Sequence, residues 1–289
     1  MQIINYVLPS DNCNIFLFGD VHTGSMMSHE IGFLRMVDMI NSTAFGLKSK
    51  YNVCLDHGDM IEAIEVKDKR FCLETTKIAS IDKQINQAIT LRKHIKSKLV
   101  TCLKGNHEHK ITPYTNATKR VCEQLKIPYG TYSAIINYTD GHGLPMFKHY
   151  ATHGYGSIKS DADDPVRQKS NMQLSLKRKL KNKFGDTLLN SCGHTHKMIT
   201  VTPEPTLYLT TQGREINQNY TEAKKRIGYI EPNHKFYANC GSFLRMYSID
   251  EEGVDGYAER AGYDPVTLGF VVCLVRNRIP VDLVEVKDI

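Results

Sequence analysis

A series of polar clusters, each directly after a short apolar run, limits the folds that this chain can adopt. The five clusters are, in order, Asp20-Val21-His22, Gly58-Asp59, Gly105-Asn106-His107-Glu108, Thr152-His153-Gly154 and Gly193-His194-Thr195-His196. Short apolar runs of this kind favour buried β-strands. In α/β sheets, ligands gather where the strands end at their carboxyl side. Five clusters at five strand ends can therefore converge on one point, although they are far apart in the sequence.

Between these clusters, apolar runs alternate with segments of helical periodicity. Strands are expected at Asn14–Phe18, Asn52–Leu55 and Leu99–Leu103, and helices at His29–Ile40, Leu73–Ile95 and Ala117–Leu125. Because strands that alternate with helices usually lie parallel, the first half of the chain is predicted to hold a largely parallel sheet. The fold class is therefore α/β.

The second half of the chain is richer in strand patterns. Strands are expected at Ser133–Tyr138, Lys148–Thr152, Thr187–Ser191, Thr206–Thr210, Lys235–Ala238, Gly269–Val275 and Val281–Val286. One helix interrupts them, with Asp164 as its N-cap and Pro165 in its first turn. The polar segment Gln212–Asn233 is expected to be irregular and is a candidate rim or lid. No linker or repeat divides the chain, so residues 1–289 are predicted to form a single domain.

The composition is that of an ordinary folded protein, with 41% hydrophobic and 24% charged residues and a formal net charge of +6. These values exclude wholesale disorder, and the mild positive charge suits an anionic substrate. The first residues lack the pattern of a secretory signal, and no stretch is apolar enough to cross a bilayer. We therefore expect a cytoplasmic protein with no membrane partner. The eight cysteines form no CxxC pair and are expected to be reduced.

The residue types in the clusters suit a pair of divalent cations. Hydrolysis of a phosphate ester needs a strong nucleophile at neutral pH and positive charge near the phosphoryl oxygens. Two cations about 3.5–4 Å apart supply both, because a water that bridges them loses a proton readily. A shared carboxylate holds the cations together, and imidazoles and an amide oxygen complete their coordination. Such mixed ligands favour manganese, with iron, zinc or nickel as alternatives.

Taken in order, the five clusters resemble the signature of the calcineurin-like metallophosphoesterases, which reads DxH, GD, GNH[DE], a lone His and GHxH. The resemblance covers residues 20 to 196. Downstream, Asn239-Cys240-Gly241-Ser242 resembles the N-P-G-S turn of many members, with Cys in place of Pro. The resemblance implies an α/β/β/α sandwich, in which two packed mixed β-sheets are flanked by helices.

The resemblance also implies a role for each matching residue. One metal would be held by Asp20, His22, Asp59 and His196, and the other by Asp59, Asn106, His153 and His194. Asp59 would bridge the two metals, and a metal-bound hydroxide would be the nucleophile. His107 would face the substrate and protonate the leaving oxygen or stabilise the phosphoryl group. Glu62 would orient His107, whereas Glu108 is expected to be structural.

Two departures from related patterns narrow the subfamily. The Ser/Thr protein phosphatases continue GD as GDxVDRG, but here the chain runs from Gly58 to Ala63 without that arginine. Purple acid phosphatases place a ligating Tyr three residues after the Asp, where this chain has Glu62. The subfamilies that remain compatible with the sequence are the phosphodiesterases, the nucleases and the small-molecule or nucleotide phosphatases. A non-catalytic binding module of the same fold is a further alternative, and we rank it below these because every ligand position is retained.

The basic segment 167–183 bears on whether the substrate is a nucleic acid. It carries seven cationic residues and no acidic one: Arg167, Lys169, Lys177, Arg178, Lys179, Lys181 and Lys183. Such a stripe could grip the phosphate backbone of DNA or RNA. We favour the interpretation that it is a solvated helix face, because the segment itself has no aromatic residue on which a base could stack.

Overall fold

The computed structural model describes residues 1–68, 70–221, 228–248, 254–255, 257–287 and 289. The strands are β1 (Gln2–Val7), β2 (Cys13–Phe18), β3 (Asn52–Asp56), β4 (Leu99–Cys102), β5 (Ser133–Thr139), β6 (Pro145–Thr152), β7 (Leu189–Cys192), β8 (Met198–Val201), β9 (Leu207–Gln212), β10 (Glu215–Tyr220), β11 (Phe236–Cys240), β12 (Gly269–Arg276) and β13 (Ile279–Lys287). The α-helices are α1 (Glu30–Ile40), α2 (Ile81–Arg92), α3 (Asn106–Lys110), α4 (Ala117–Leu125), α5 (Pro165–Leu180) and α6 (Tyr257–Arg260).

Two large mixed sheets form the centre of the fold. The first has the order β13-β12-β2-β3-β4, and the second has the order β1-β5-β6-β7-β11-β8. Strands β2, β3 and β4 are parallel, as are β6, β7 and β11. The carboxyl ends of parallel strands lie at one edge of their sheet, so each sheet presents several strand ends together.

Alternate residues of β2 show how the layers are joined. Every residue of β2 is buried, because the strand has a core on each face. Ile15 and Leu17 pack between the two sheets, together with Ala151 from the second sheet. Phe16 and Phe18 point the other way, into the core beneath α1, α2 and α4. Helix α5 covers the outer face of the second sheet, and the predicted α/β/β/α sandwich is therefore confirmed.

The helix expected from Leu73 begins only at Ile81. The backbone N–H groups of Lys77 and Ile78 donate to the carbonyl of Gly24 at 2.9 and 3.0 Å, and such bonds are incompatible with a continuous helix there. Ser80 then caps α2, with Oγ accepting the N–H of Lys83. The expected N-cap of α5 is confirmed, because Asp164 Oδ1 accepts the N–H of Arg167 at 2.7 Å.

The expectation of an irregular segment at Gln212–Asn233 is wrong for its first part. Strand β10 pairs antiparallel with β9 and forms a two-stranded hairpin outside the main sheets. Residues 222–227 of that segment lie outside the described residues. All eight cysteines are free, and seven of them are buried. In the described ranges, no helix is long and apolar enough to cross a membrane.

Candidate metal centre

The five sequence clusters lie at strand ends of both sheets, and the fold brings them together. Their ligand-type atoms form three overlapping groups, in each of which all the atoms lie within 4.8 Å of one another. The groups are Asp20–His22–His196, His22–Asp59–His107 and Asp59–His153–His194. Six of the seven residues predicted as ligands belong to these three groups. The seventh, Asn106, contacts His153 and His194. All seven therefore surround one centre.

The first group joins the two sheets. Oδ2 of Asp20, after β2, accepts the backbone N–H of His194, after β7, at 2.9 Å. The other oxygen of Asp20 lies 3.4 Å from Nε2 of His196. Nδ1 of His22 donates to Oε2 of Glu62 at 2.8 Å, so its Nε2 is directed at the centre, where a metal can bind it in place of a proton.

The second group has the same organisation. Nδ1 of His153 donates to the backbone carbonyl of His57 at 2.8 Å, which leaves Nε2 facing the centre. Asn106, at the start of α3, places Oδ1 at 2.8 Å from that Nε2 and at 2.7 Å from Nδ1 of His194. Two imidazoles and an amide oxygen thus point at one position.

Asp59 stands between the two groups. Its Oδ2 lies 3.8 Å from Nε2 of His22 in the first group and 3.4 Å from Nε2 of His153 in the second. Its Oδ1 accepts the backbone N–H of His107 at 2.9 Å, which fixes the carboxylate in place. This position between the groups is the one that a bridging ligand requires.

Unsatisfied buried atoms show that these residues fit a metal. Oδ1 of Asp20 and Nε2 of His22 are buried and have no hydrogen-bond partner in the described part of the chain. Buried polar atoms are nearly always hydrogen-bonded, so an unpartnered pair at the centre of a cluster needs an explanation. Cation binding supplies it, because carboxylate, imidazole and amide donors are those that divalent transition metals accept.

The backbone is held in an unfavourable conformation at the same residues. The φ angles are +53° for Asp20, +52° for His22, +50° for Asp59, +71° for His194 and +58° for His196. Side-chain-bearing residues seldom adopt this left-handed region, and strain of this kind concentrates at functional sites. Close packing accompanies the strain, since a Cβ added to Gly105 would lie 2.0 Å from Oδ1 of Asp59.

The histidines of the centre fall into two groups: burial lowers the pKa of His194 to about 4 and also lowers that of His107, whereas carboxylates raise the pKa of His22 and His153. Burial opposes the charged form of His22 and His153, but Glu62 acting on His22 and Asp59 acting on His153 outweigh it. The pKa of His22 rises to about 9 and that of His153 to about 10. The carboxylates that hold protons on His22 and His153 also attract cations, and a metal that binds there displaces those protons.

His107 and Glu62 differ in part from the prediction. Nδ1 of His107 contacts the backbone carbonyl of Glu62, and Nε2 lies 3.5 Å from Nη1 of Arg70. A guanidinium at that distance disfavours a metal on the same nitrogen, so the placement favours the predicted substrate-facing role. The Glu62 carboxylate does not orient His107, because it is engaged by His22 instead. The predicted contact is therefore made by the main chain of Glu62, and its side chain supports a ligand.

Two sets of supporting residues surround the ligands. The carboxylate of Glu108 accepts backbone N–H groups of Gly105, Asp59, Met60 and Ile61 at 2.6 to 3.1 Å, which ties α3 to the Asp59 loop. Its structural role in the GNHE turn was predicted. His57 was assigned no role in the sequence, yet its Nε2 lies 2.6 Å from Ser191 Oγ. Ser191 stands in an apolar run, and no sequence signal marked it.

A cleft of about 450 Å³ opens above the centre. Its floor includes Asp59, Asn106, His107, His194 and His196. Its walls carry the cationic side chains of Arg70, Lys159 and Lys197, together with Asp264 and Tyr263. A volume of this order accommodates a small ligand, and the charge of the walls suits an anionic one.

Fold and site together define an α/β sandwich with a candidate dinuclear metal centre at the strand ends. No family model matches the chain, and no curated protein matches it. Among solved structures, it is similar to a protein serine/threonine phosphatase from Saccharomyces cerevisiae with similarity to human phosphatase PP5, at 14% sequence identity and a TM-score of 0.25. The match covers 71% of this chain and 56% of that phosphatase, so the chain spans little more than half of its length. A likeness of this extent carries no functional argument.

Proposed function

We propose that this protein is a metal-dependent phosphoesterase that hydrolyses phosphodiester or phosphomonoester bonds at a dinuclear centre. The observation that supports the proposal is the position of Asp59 between two ligand groups, directly beside His107 and beneath a cationic cleft. One cation would be held by Asp20, His22, Asp59 and His196, and the other by Asp59, Asn106, His153 and His194. The donor set suits manganese first, then iron, zinc or nickel.

Bound divalent cations supply a nucleophile at neutral pH and neutralise charge on the phosphoryl oxygens. The chain itself binds and orients the substrate. The cationic walls attract the phosphate, and the main chain of Glu62 fixes the imidazole of His107 toward the cleft. From this position Nε2 of His107 faces the leaving oxygen. Burial lowers the pKa of His107, so a proton taken up at Nε2 is weakly held and readily passed to that oxygen. The fixed ligands need little rearrangement during the reaction, which is the condition for effective electrostatic stabilisation.

The test is metal-dependent cleavage of bis(p-nitrophenyl) phosphate and p-nitrophenyl phosphate, with the metal content of each protein measured in parallel. We expect Asp59→Asn to lose both metal and activity, whereas His107→Ala keeps its metal and loses about 10²–10⁴-fold in kcat. Matched controls are Asp82→Asn and His94→Ala, at exposed positions outside the cleft. A wild-type protein that turns over neither substrate with any divalent metal contradicts the proposal and favours the non-catalytic binding module.

A nucleic-acid substrate is the second candidate, because the fold supplies the aromatic residue that segment 167–183 lacks. Tyr155 is 56% exposed and follows His153 by two residues. Nζ of Lys179 lies 4.7 Å from the centroid of its ring and donates to its carbonyl, and Lys183 lies 5.8 Å from the ring. An exposed aromatic ring among cations, next to the catalytic cleft, is the arrangement that single-stranded nucleic acids bind.

Nuclease and small-molecule activities separate in a direct assay on labelled single- and double-stranded DNA. We expect the triple charge reversal Lys177→Glu/Lys179→Glu/Lys181→Glu and the variant Tyr155→Ala to lose DNA cleavage while retaining cleavage of bis(p-nitrophenyl) phosphate. The control is Lys93→Glu/Lys96→Glu, which changes exposed lysines after α2. Cleavage of the small substrates without cleavage of any DNA or RNA identifies a small-molecule or nucleotide phosphatase instead.

A further inference from the structure

Strand β1 lies at one edge of the second sheet and is paired on one side only. It runs parallel to β5, and no strand among the described residues pairs with its other side. The backbone N–H of Leu8 donates to the carbonyl of Thr139 at 2.8 Å. Because successive residues of a strand direct their N–H and C=O groups to opposite sides, the even-numbered residues of β1 bond to β5. The N–H and C=O groups of Ile3, Asn5 and Val7 are therefore directed at the free side.

The sequence of β1 does not have the features that usually protect a strand at a sheet edge. Such strands are short, carry charges or proline, or are bent by a bulge, because an unpaired strand can bind another one. The strands at the other edges of the two main sheets follow this rule. β4 and β8 have four residues each, and β13 carries Pro280, Asp282, Glu285 and Lys287. β1 has six residues, QIINYV, with no charge, no proline and a register without a shift, so it can accept a further strand.

The residues with free backbone groups also carry exposed apolar side chains. Ile3 is 65% exposed and Val7 is 59% exposed. Asn5 lies between them on the same face, because side chains alternate along a strand. Ile4 and Tyr6 point the other way and pack in the core between the two sheets. A partner at this edge would therefore gain backbone hydrogen bonds and apolar contacts from the same short strand.

A second copy of β1 fits this edge in one antiparallel register. A two-fold axis through Asn5 places Ile3 of one protomer opposite Val7 of its partner, and Asn5 opposite its own copy. Residues that lie opposite each other in such a pair exchange two hydrogen bonds, so all the free N–H and C=O groups of the strand are used. A shift by two residues in one direction would pair Val7 with Met1, which lies outside the strand. In the other direction it would pair Ile3 with Pro9, which has no N–H.

We propose that two copies of this chain associate through β1, antiparallel and with Asn5 on a two-fold axis, so that their second sheets form one continuous sheet. A formal net charge of +6 opposes the approach of two copies, and the uncharged strand Gln2–Val7 adds no repulsion of its own. Two-fold pairs are the commonest homo-oligomers, and Ile3 and Val7 meet as a favourable cross-strand pair. None of the residues of β1 lines the cleft, so the inference is independent of the proposed function.

The first experiment measures the molar mass of the full chain by light scattering over a range of concentrations. We expect the wild type to reach twice the 32.8 kDa of one chain. Ile3→Lys/Val7→Lys should stay at the mass of one chain, because the register sets like charges opposite each other. Ile3→Glu/Val7→Lys should again form the dimer, because the same register sets opposite charges together. Circular dichroism checks that both variants are folded, and the control Val281→Lys, at an exposed position of β13, should leave the mass unchanged.

Hydrogen exchange tests the register without any substitution. The amides of Ile3, Asn5 and Val7 should exchange at least about tenfold more slowly in concentrated than in dilute wild type, because only the dimer pairs them. The amides of Ile4 and Tyr6 should be protected at both concentrations, since β5 pairs with them within one copy.

The inference is overturned if the wild type keeps the mass of one chain at every concentration, or if Ile3→Lys/Val7→Lys remains a dimer. The second result would place the interface elsewhere, for example on the exposed hairpin of β9 and β10. A folded but monomeric Ile3→Glu/Val7→Lys protein contradicts the register, as does exchange at Ile3, Asn5 and Val7 that does not change with concentration.

Discussion

Glu62 and His22 form a buried carboxylate–imidazole pair, in which Oε2 and Nδ1 are 2.8 Å apart. The hydrogen-bonding contact of Glu62 with His107 is made by its backbone carbonyl, and the carboxylate acts on that ring only through its charge. The side chain and the main chain of one residue therefore serve two different histidines. Substitutions of the side chain should affect the metal ligand His22 and spare the contact to His107.

We expect Glu62→Ala to lower metal affinity about 10–100-fold, because the carboxylate fixes the ring and the tautomer of His22. Glu62→Gln should lose less, since its amide oxygen still accepts a hydrogen bond from Nδ1. Competition with a chelator measures the affinity, and kcat is compared at saturating metal. If Glu62→Ala keeps wild-type metal affinity and loses kcat as His107→Ala does, the side chain acts on His107 after all.

A chain of buried hydrogen bonds beneath the centre makes stability sensitive to acid. His149 Nε2 lies 2.6 Å from Ser191 Oγ, which lies 2.6 Å from His57 Nε2, and His57 Nδ1 donates to the carbonyl of Phe18. The directions are fixed: with Nδ1 of His57 as donor, Ser191 donates to His57 and accepts from His149. Burial, reinforced by the nearby His57, holds the pKa of His149 well below its usual value.

Because the folded-state pKa of His149 lies below the unfolded one, the unfolded chain takes up a proton first as the pH falls. This histidine therefore lowers the free energy of unfolding below pH ~6.5, by about 1.4 kcal/mol per pH unit until its folded pKa is reached. We expect His149→Gln to be less stable at pH 7 but to lose less between pH 7 and pH 5. Urea unfolding at the two pH values checks this, and an equal loss in both proteins contradicts it.

The ion pair between Arg92 and Asp56 is fully buried, with Nε and Oδ2 2.7 Å apart. Asp56 also accepts the N–H of Gly58 at 2.9 Å, so the pair supports the loop that carries Asp59. Burial raises the pKa of Asp56, and Arg92 opposes that rise. We expect Arg92→Met to lower the free energy of unfolding by about 3–5 kcal/mol, because the substitution leaves a buried charge unpaired.

The double variant Asp56→Asn/Arg92→Met tests the reason for that loss. Removing both charges should recover part of the stability, because neither partner then remains buried and unpaired. Chemical denaturation of both single variants and the double variant closes the cycle. Additive losses would mean that the two residues stabilise the fold independently.

The sequence predicted that the five clusters converge, and the fold does bring their side chains together, because ordered ligand types at strand ends leave few other arrangements. Strand boundaries such as those of β2 and β12 were also close, since each strand is built around a continuous apolar run. The prediction of secondary structure from the sequence is wrong where tertiary contacts override the local pattern. The stretch from Leu73 to Ser80 has helical periodicity. Its backbone N–H groups at Lys77 and Ile78 nevertheless donate to the carbonyl of Gly24, and no helix forms there.

Arg70 and Ser191 could not be found for a related reason. Neither stands in a motif, and each acquires its neighbours only when separate segments pack. Ser191 meets His149 across the pairing of β6 with β7, and Arg70, whose side chain is bound by Asp68, meets His107. Glu62 shows that sequence can identify a neighbouring residue without identifying the contact. Its spacing from Asp59 placed it near His107, but did not reveal which of its atoms would make the contact.

Gly105 and Gly141 provide a matched pair for the last prediction. A Cβ at Gly105 would lie 2.0 Å from Oδ1 and 2.2 Å from the backbone N of Asp59, whereas one at Gly141 meets nothing within 4 Å. We expect Gly105→Ala to displace Asp59, with loss of metal binding and at least a hundredfold loss of activity. Overpacking should also cost about 1–3 kcal/mol of stability. Gly141→Ala should leave all three unchanged. Metal analysis, phosphoesterase assays and thermal unfolding of both variants test this, and a Gly105→Ala protein with full metal content would show that Asp59 is not confined by the turn.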